Sequence, residues 1–143
     1  MTAQGIKNII PAIYTALNVS SLTTLLQTYG SAYTIFTGRV VPTNATTPFV
    51  HVRAGVSLAE FDTKTTSGWE YEFEVAVIDA NTKAESVKTM DAIVDVILTL
   101  LDDVNLSVTG ANHVVTHCVG MTPAQTSDDL VGTVLRFRTV INN

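Results

Sequence analysis

The stretch Trp69-Glu70-Tyr71-Glu72-Phe73-Glu74-Val75-Ala76-Val77-Ile78 decides the fold. Aromatic and β-branched residues alternate with acidic or small ones, the period-two signature of a strand with one buried face. Trp69, Tyr71, Phe73, Val75 and Val77 share the core-bound face, and Glu70, Glu72 and Glu74 line the other. Downstream the period changes. Thr82 followed by Glu85 forms a capping-box pattern, and Val87, Met90, Val94, Ile97 and Leu101 then recur at steps of three and four. Ile93, Leu98 and Leu100 widen that stripe, as suits a helix lying on a sheet. Asp102 and Asp103 oppose its C-terminal dipole and mark its end.

On the N-terminal side, Tyr33 to Val41 and Phe49 to Val56 read as strands around a loop at Pro42 to Thr47. Ser57 to Gly68 reads as a polar connection carrying Glu60, Asp62 and Lys64. Before them, Ile6, Ile9, Ile10, Ile13 and Leu17 have helical spacing, with Pro11 either starting the helix or kinking it. A second short helix is predicted with Ser20 or Ser21 as cap, Leu22, Leu25, Leu26 and Tyr29 as stripe, and Gly30 as stop. On the C-terminal side, His113 to Val119 is a strand, Met121 to Asp129 a loop, and Leu130 to Ile141 a long final strand. Leu135, Phe137, Thr139 and Ile141 share one of its faces, while Val134, Arg136, Arg138 and Val140 share the other. The order helix–helix–strand–strand–strand–helix–strand–strand predicts an α+β domain over residues 1–143. Its expected form is an antiparallel-dominated mixed β-sheet with helices packed on one face.

Composition narrows the function. The net charge of −5 argues against a protein that grips nucleic acid by neutralising phosphates. A single Cys excludes an intrachain disulfide framework. No stretch approaches the ~18 apolar residues of a membrane span, and the interruption at Pro11 reads against a signal peptide. Charged residues make up only 15% of the chain, well under the ~25% of an ordinary soluble domain, and there are 22 threonines. So sparse a charge favours a subunit whose surface is covered by other subunits.

Catalytic signals are weak. His113 and His117 are four apart with Cys118 adjacent, but on a strand such positions sit ~13 Å from each other and cannot share one ion. Cys118 reads as a small buried hydrophobe rather than a nucleophile. The pairs Asp102-Asp103 and Asp128-Asp129 fall at element ends and read as solvated charge. No phosphate-loop, dinucleotide or nucleophile-elbow motif is present. No enzyme, metal or cofactor is expected. Glu70, Glu72 and Glu74 on one strand, Arg136 and Arg138 on another, and His51 and Arg53 on a third would form a ladder of opposite charges if these strands are neighbours. Such a face could set the register in which subunits meet. Trp69, Tyr71 and Phe73 would be the lining of a pocket if the chain were instead a small ligand-binding module.

The layout resembles the tail terminator (tail completion) proteins of long, non-contractile-tailed bacteriophages. The resemblance rests on Ile13-Tyr14-x-x-Leu17, the Leu-rich turn Leu22 to Leu26, and Val40 ahead of a loop. It continues with Thr47-Pro48-Phe49-Val50, the alternating strand Tyr71 to Val77, the helix Ala84 to Leu101 and the terminal Phe137-Arg138. It implies a virion protein of the tail or neck, assembled in the host cytoplasm. Such proteins form a ring, typically of six copies, that caps the tail tube and presents a surface to the head-side connector. Viral DNA would be a transient passenger through the lumen, and no membrane is involved. Arg53, Glu70, Glu72, Glu74, Arg136 and Arg138 would then be interface residues on the outer sheet face. The loops 57–67 and 121–129, with Glu60, Asp62, Asp128 and Asp129, would face the lumen or the tube. Another head–tail neck protein is the nearest alternative.

Overall fold

The computed structural model describes residues 6–38, 40–62, 67–80, 86–110, 113–125 and 129–142. A 3-10 turn at Ile6–Asn8 leads into α1 (Ile9–Leu17). Pro11 falls in the first turn of this helix without starting it. It is the third helical residue, where a backbone N–H would have no intrahelical partner. Ile9, Ile13 and Leu17 are buried, and the Asn18 amide closes the helix on the Tyr14 carbonyl at 2.8 Å. The next helix, α2 (Ser20–Thr23), is shorter than its leucine stripe predicts. An extended Val19 precedes it, and neither serine caps it. Gly30 does not stop a helix either. At φ 64° it turns a small hairpin between β1 (Thr28–Tyr29) and β2 (Ala32–Tyr33).

The strand expected over Tyr33 to Val41 is broken into the end of β2 and β3 (Ile35–Phe36). Thr34, between them, is diverted. Its amide donates to the Gln27 carbonyl at 3.1 Å, and its buried hydroxyl donates to the Pro48 carbonyl at 2.9 Å. These bonds tie the segment across the loop, which enters β4 through a cis Thr47–Pro48 peptide. Four long strands follow: β4 (Phe49–Asp62), β5 (Ser67–Ala80), then, after α3 (Ser86–Leu101), β6 (His113–Gln125) and β7 (Leu130–Asn142). The sheet order is β3-β4-β5-β7-β6, with only β3–β4 parallel. The mixed, antiparallel-dominated sheet is thus the one expected.

Two expected loops are largely strand. Ser57 to Asp62 pairs residue by residue with Glu72 to Ser67, and Met121 to Gln125 pairs with Leu135 to Val131. β4 and β6 are the outer two of the four long strands, where one edge can face water, so polar composition does not exclude strand structure. Thr82, Glu85 and Asp128 lie outside the described residues, as do the side chains of Glu60 and Asp62.

The helices cover one face. Ile9, Ile13, Leu17, Ile93, Ile97 and Leu101 close over Tyr71, Phe73, Val75, Leu135, Phe137 and Ile141. Phe73 stacks on Phe137 with centroids 5.3 Å apart and planes 14° from parallel. Trp69, expected in this row, sits at its end and is half-buried. Both flanking strands bulge at the level of that stacked pair, β4 between Arg53 and Ser57 and β6 between Cys118 and Gly120. Bulges at matched heights sharpen the sheet's twist across its width. On the opposite face a smaller cluster buries Phe49, Ala76 and Ile78 against Phe36, Val41, Ala45, Leu130 and Val134.

Candidate assembly surface

The pattern Glu-x-Glu-x-Glu on β5 and Arg-x-Arg on β7 places charge on the outer face, because alternate residues of a strand share a side. Register then brings the signs together. Arg53 on β4, Glu74 on β5 and Arg136 on β7 form one row, and Glu72 pairs with Arg138 in the next. The Arg138 guanidinium donates from Nη2 to Glu72 Oε1 at 3.0 Å. Glu70 stands opposite Val140 and is exposed. Three carboxylates and three guanidiniums leave this face locally balanced. An exposed pair of this kind contributes about 0.2–1 kcal/mol, too little to explain the face by stability.

The apolar half of the same face is roofed by the segment that precedes β4. His51, expected on the solvated ladder, is instead buried there, with Nε2 2.7 Å from the Gly38 carbonyl. Between roof and sheet runs a groove of about 620 Å³, lined by Val40, Val41, Phe49, Ile78 and Leu130, with Arg53 at its charged end. A smaller groove of about 310 Å³ lies across the sheet, between Glu74, Arg136 and Val119, Gly120, Thr122 and Pro123.

The two acidic segments expected to face the lumen or the tube are far apart. The β4–β5 hairpin turns beyond Asp62 and Ser67, level with Asn142. The β6–β7 hairpin turns beyond Gln125, level with Val131 and Asp79. Strands of this length separate their ends by roughly 40 Å. Glu60 and Asp62 are therefore at one end of the sheet, and exposed Asp129 is at the other.

Sequence reasoning missed one constellation. Asp102 and Asp103 do more than end α3. The Asp102 carboxylate accepts the Cys118 amide at 2.8 Å, and Asp103, at φ 58°, donates its own amide to the Thr116 carbonyl at 2.8 Å. The Asp103 carboxylate also lies 2.8 Å from His117 Nδ1. Together they bolt the helix end to β6. The signal was the tolerance of Asp for positive φ just after a helix, which a charge-only reading overlooks. Cys118 is half-buried, its Sγ 3.6 Å from the Gly120 carbonyl. Among the described residues no group of His, Cys, Asp and Glu is placed to hold a metal ion, and no helix is long and apolar enough to cross a membrane.

No protein-family model matches the chain, and no curated protein matches it in sequence. Solved structures do. A chain from the virion of a native gene transfer agent particle is 19% identical and superposes with a TM-score of 0.76. The match covers 96% of this chain and 96% of that one. A second solved chain, 10% identical, gives a TM-score of 0.53 over 92% of this chain and 94% of its own. These likenesses show a shared α+β fold from one end of the chain to the other.

Proposed function

We propose that this chain is a structural subunit of a phage-like virion, one that closes into a ring, of six copies, on the end of the tail tube. The observation that carries this reading is the end-to-end fold match to a virion chain, since little of either chain is left over to carry a different activity. The sparse charge of the sequence adds weight, because a covered surface needs few ions to stay soluble. Ring closure requires a head-to-tail contact whose rotation closes, which ends growth where an open contact would extend a filament. The two hairpin ends, roughly 40 Å apart, give the subunit one end for the tube and one for the head-side connector. Glu60 and Asp62 would serve one end and Asp129 the other. The outer-face residues Arg53, Glu70, Glu72, Glu74, Arg136 and Arg138 would fix the register of neighbouring parts. The net charge of −5 disfavours adhesion of DNA passing through the ring.

The test is tail assembly without this chain. Tubes should overgrow and fail to join heads, and added protein should restore a uniform length. Tubes of normal length on infectious particles would overturn the reading. A different position in the neck is the second reading. It is favoured by the matched chain being described only as part of a virion, with no mention of a tail, and electron microscopy locating the chain on particles separates the two. A ligand-binding module finds less support, because Tyr71 and Phe73, two of its three expected lining residues, are closed within the core.

A further inference from the structure

We propose that neighbouring copies join head to tail through the two flanks of the sheet, the β4 side of one copy against the β6 side of the next. This rests on the ring reading and names the surface that would close it. The exposed large apolar side chains among the described residues are not scattered. Tyr33 (44% exposed) and Val40 (82%) lie on the β4 flank, and Val119 (45%) and Met121 (58%) lie on the β6 flank. Only Val19, between α1 and α2, lies elsewhere. Each flank also has a hollow. The 620 Å³ groove beside Val40 is floored by Phe49, Ile78 and Leu130, and the 310 Å³ groove runs beside Val119 and Pro123. Val119 of one copy suits the first groove, and Val40 of the next suits the second. Because knob and hollow occur on both flanks but differ between them, the contact is heterologous, as a ring requires.

Strand direction agrees. β4, β5, β7 and β6 alternate in direction, so β6 of one copy beside β4 of the next continues the antiparallel order. Among the described residues, β3 pairs with β4 only at Val50 and His51, and on the outer side of β6 the segment Asp102 to Val104 holds Thr116, the His117 ring and the Cys118 amide. Beyond those positions each edge offers strand backbone with which a second copy can pair. At equal height, Val52 to Ser57 opposes His117 to Met121, bulge beside bulge.

The experiment uses the full chain. Val40→Glu and Met121→Glu would each place a charge in the contact, and each should weaken self-association by more than about tenfold. Each variant keeps one intact flank, so mixing the two should give one-to-one dimers that grow no further, read by native mass spectrometry. Val19→Glu should form rings like the parent chain. Rings formed by either flank variant alone, or lost equally in Val19→Glu, would overturn the flank assignment while leaving the ring itself standing. A parent chain that stays monomeric both alone and on tail tubes would overturn the ring reading, and this assignment with it. A photo-reactive residue in place of Met121 tests the contact without adding charge. Cross-links recovered within residues 33–57 of a second copy support it, and cross-links to β6 of a second copy, the mark of an isologous pair, overturn it.

Discussion

On the helix side of the sheet, Phe73, Val75, Leu135, Phe137 and Ile141 are shut away from water, whereas on the outer side Glu72, Arg136 and Arg138 of the same strands are not buried. The helix side is covered by α1 and α3. The outer side is finished only in part, its apolar end roofed by the segment before β4 and its charged end open. The difference teaches where to look for each property of the molecule. Folding stability resides under the helices, and the surface proposed for assembly is on the outer face and flanks. Substitutions on the two sides should therefore fail in different assays.

The largest effect is expected at Phe137. Replacing it with Ala removes the ring that stacks on Phe73 and leaves a cavity that fully packed neighbours cannot fill, at a cost of about 3–5 kcal/mol. Urea denaturation should show the midpoint falling with little change in slope. A loss under about 1 kcal/mol would mean that the helix face is not the close-packed side. A smaller loss is expected at Thr139, whose buried hydroxyl lies 2.8 Å from that of Thr116. Thr139→Val keeps the shape but strands the Thr116 hydroxyl, costing about 1–3 kcal/mol by the same measurement.

How much of this was legible in the sequence depended on how many neighbours decided each residue. β5 and α3 could be read directly because period two and period 3.6 run through them without interruption, and the structure buries the expected faces. Strand neighbours were only conditional in the sequence, yet Arg53, Glu74 and Arg136 do fall in one row. The failures were at the edges. The polar stretch Ser57 to Asp62 looked like a loop because strand structure there depends on β5 alongside it, not on its own composition. Thr34 looked like mid-strand until tertiary bonds to Gln27 and Pro48 diverted it. That the two acidic segments lie at opposite ends of the sheet was not legible for a topological reason, since antiparallel hairpins can turn at either end.

The bond between α3 and β6 gives a prediction between the two sides. Asp102→Ala removes the acceptor of the Cys118 amide and should cost about 1 kcal/mol, the ordinary net worth of a hydrogen bond. Its clearer sign should be local. Amide exchange at Cys118 should quicken while exchange at Phe73 is unchanged, because only the edge of the sheet is released. Quickening at both positions would show that β6 and the central strands open as one unit.

A small effect on stability is expected where the effect on assembly is greatest. Glu72→Lys with Glu74→Lys sets two ammonium groups beside Arg53, Arg136 and Arg138, at a cost to the folded subunit of about 1 kcal/mol for each of these half-buried positions. If the charged face meets another part of the particle, however, those five like charges must be desolvated together, and assembly should fail in a subunit that still folds. Reversing partners as well, with Arg136→Glu and Arg138→Glu added, restores the pairing within the subunit but inverts the pattern shown to a partner. Subunits so reversed should therefore fold as the parent does and still fail to assemble. Recovery of assembly in the fourfold variant would show that the ladder acts only within its own sheet, and normal assembly of the double variant would remove the outer face from the interface altogether.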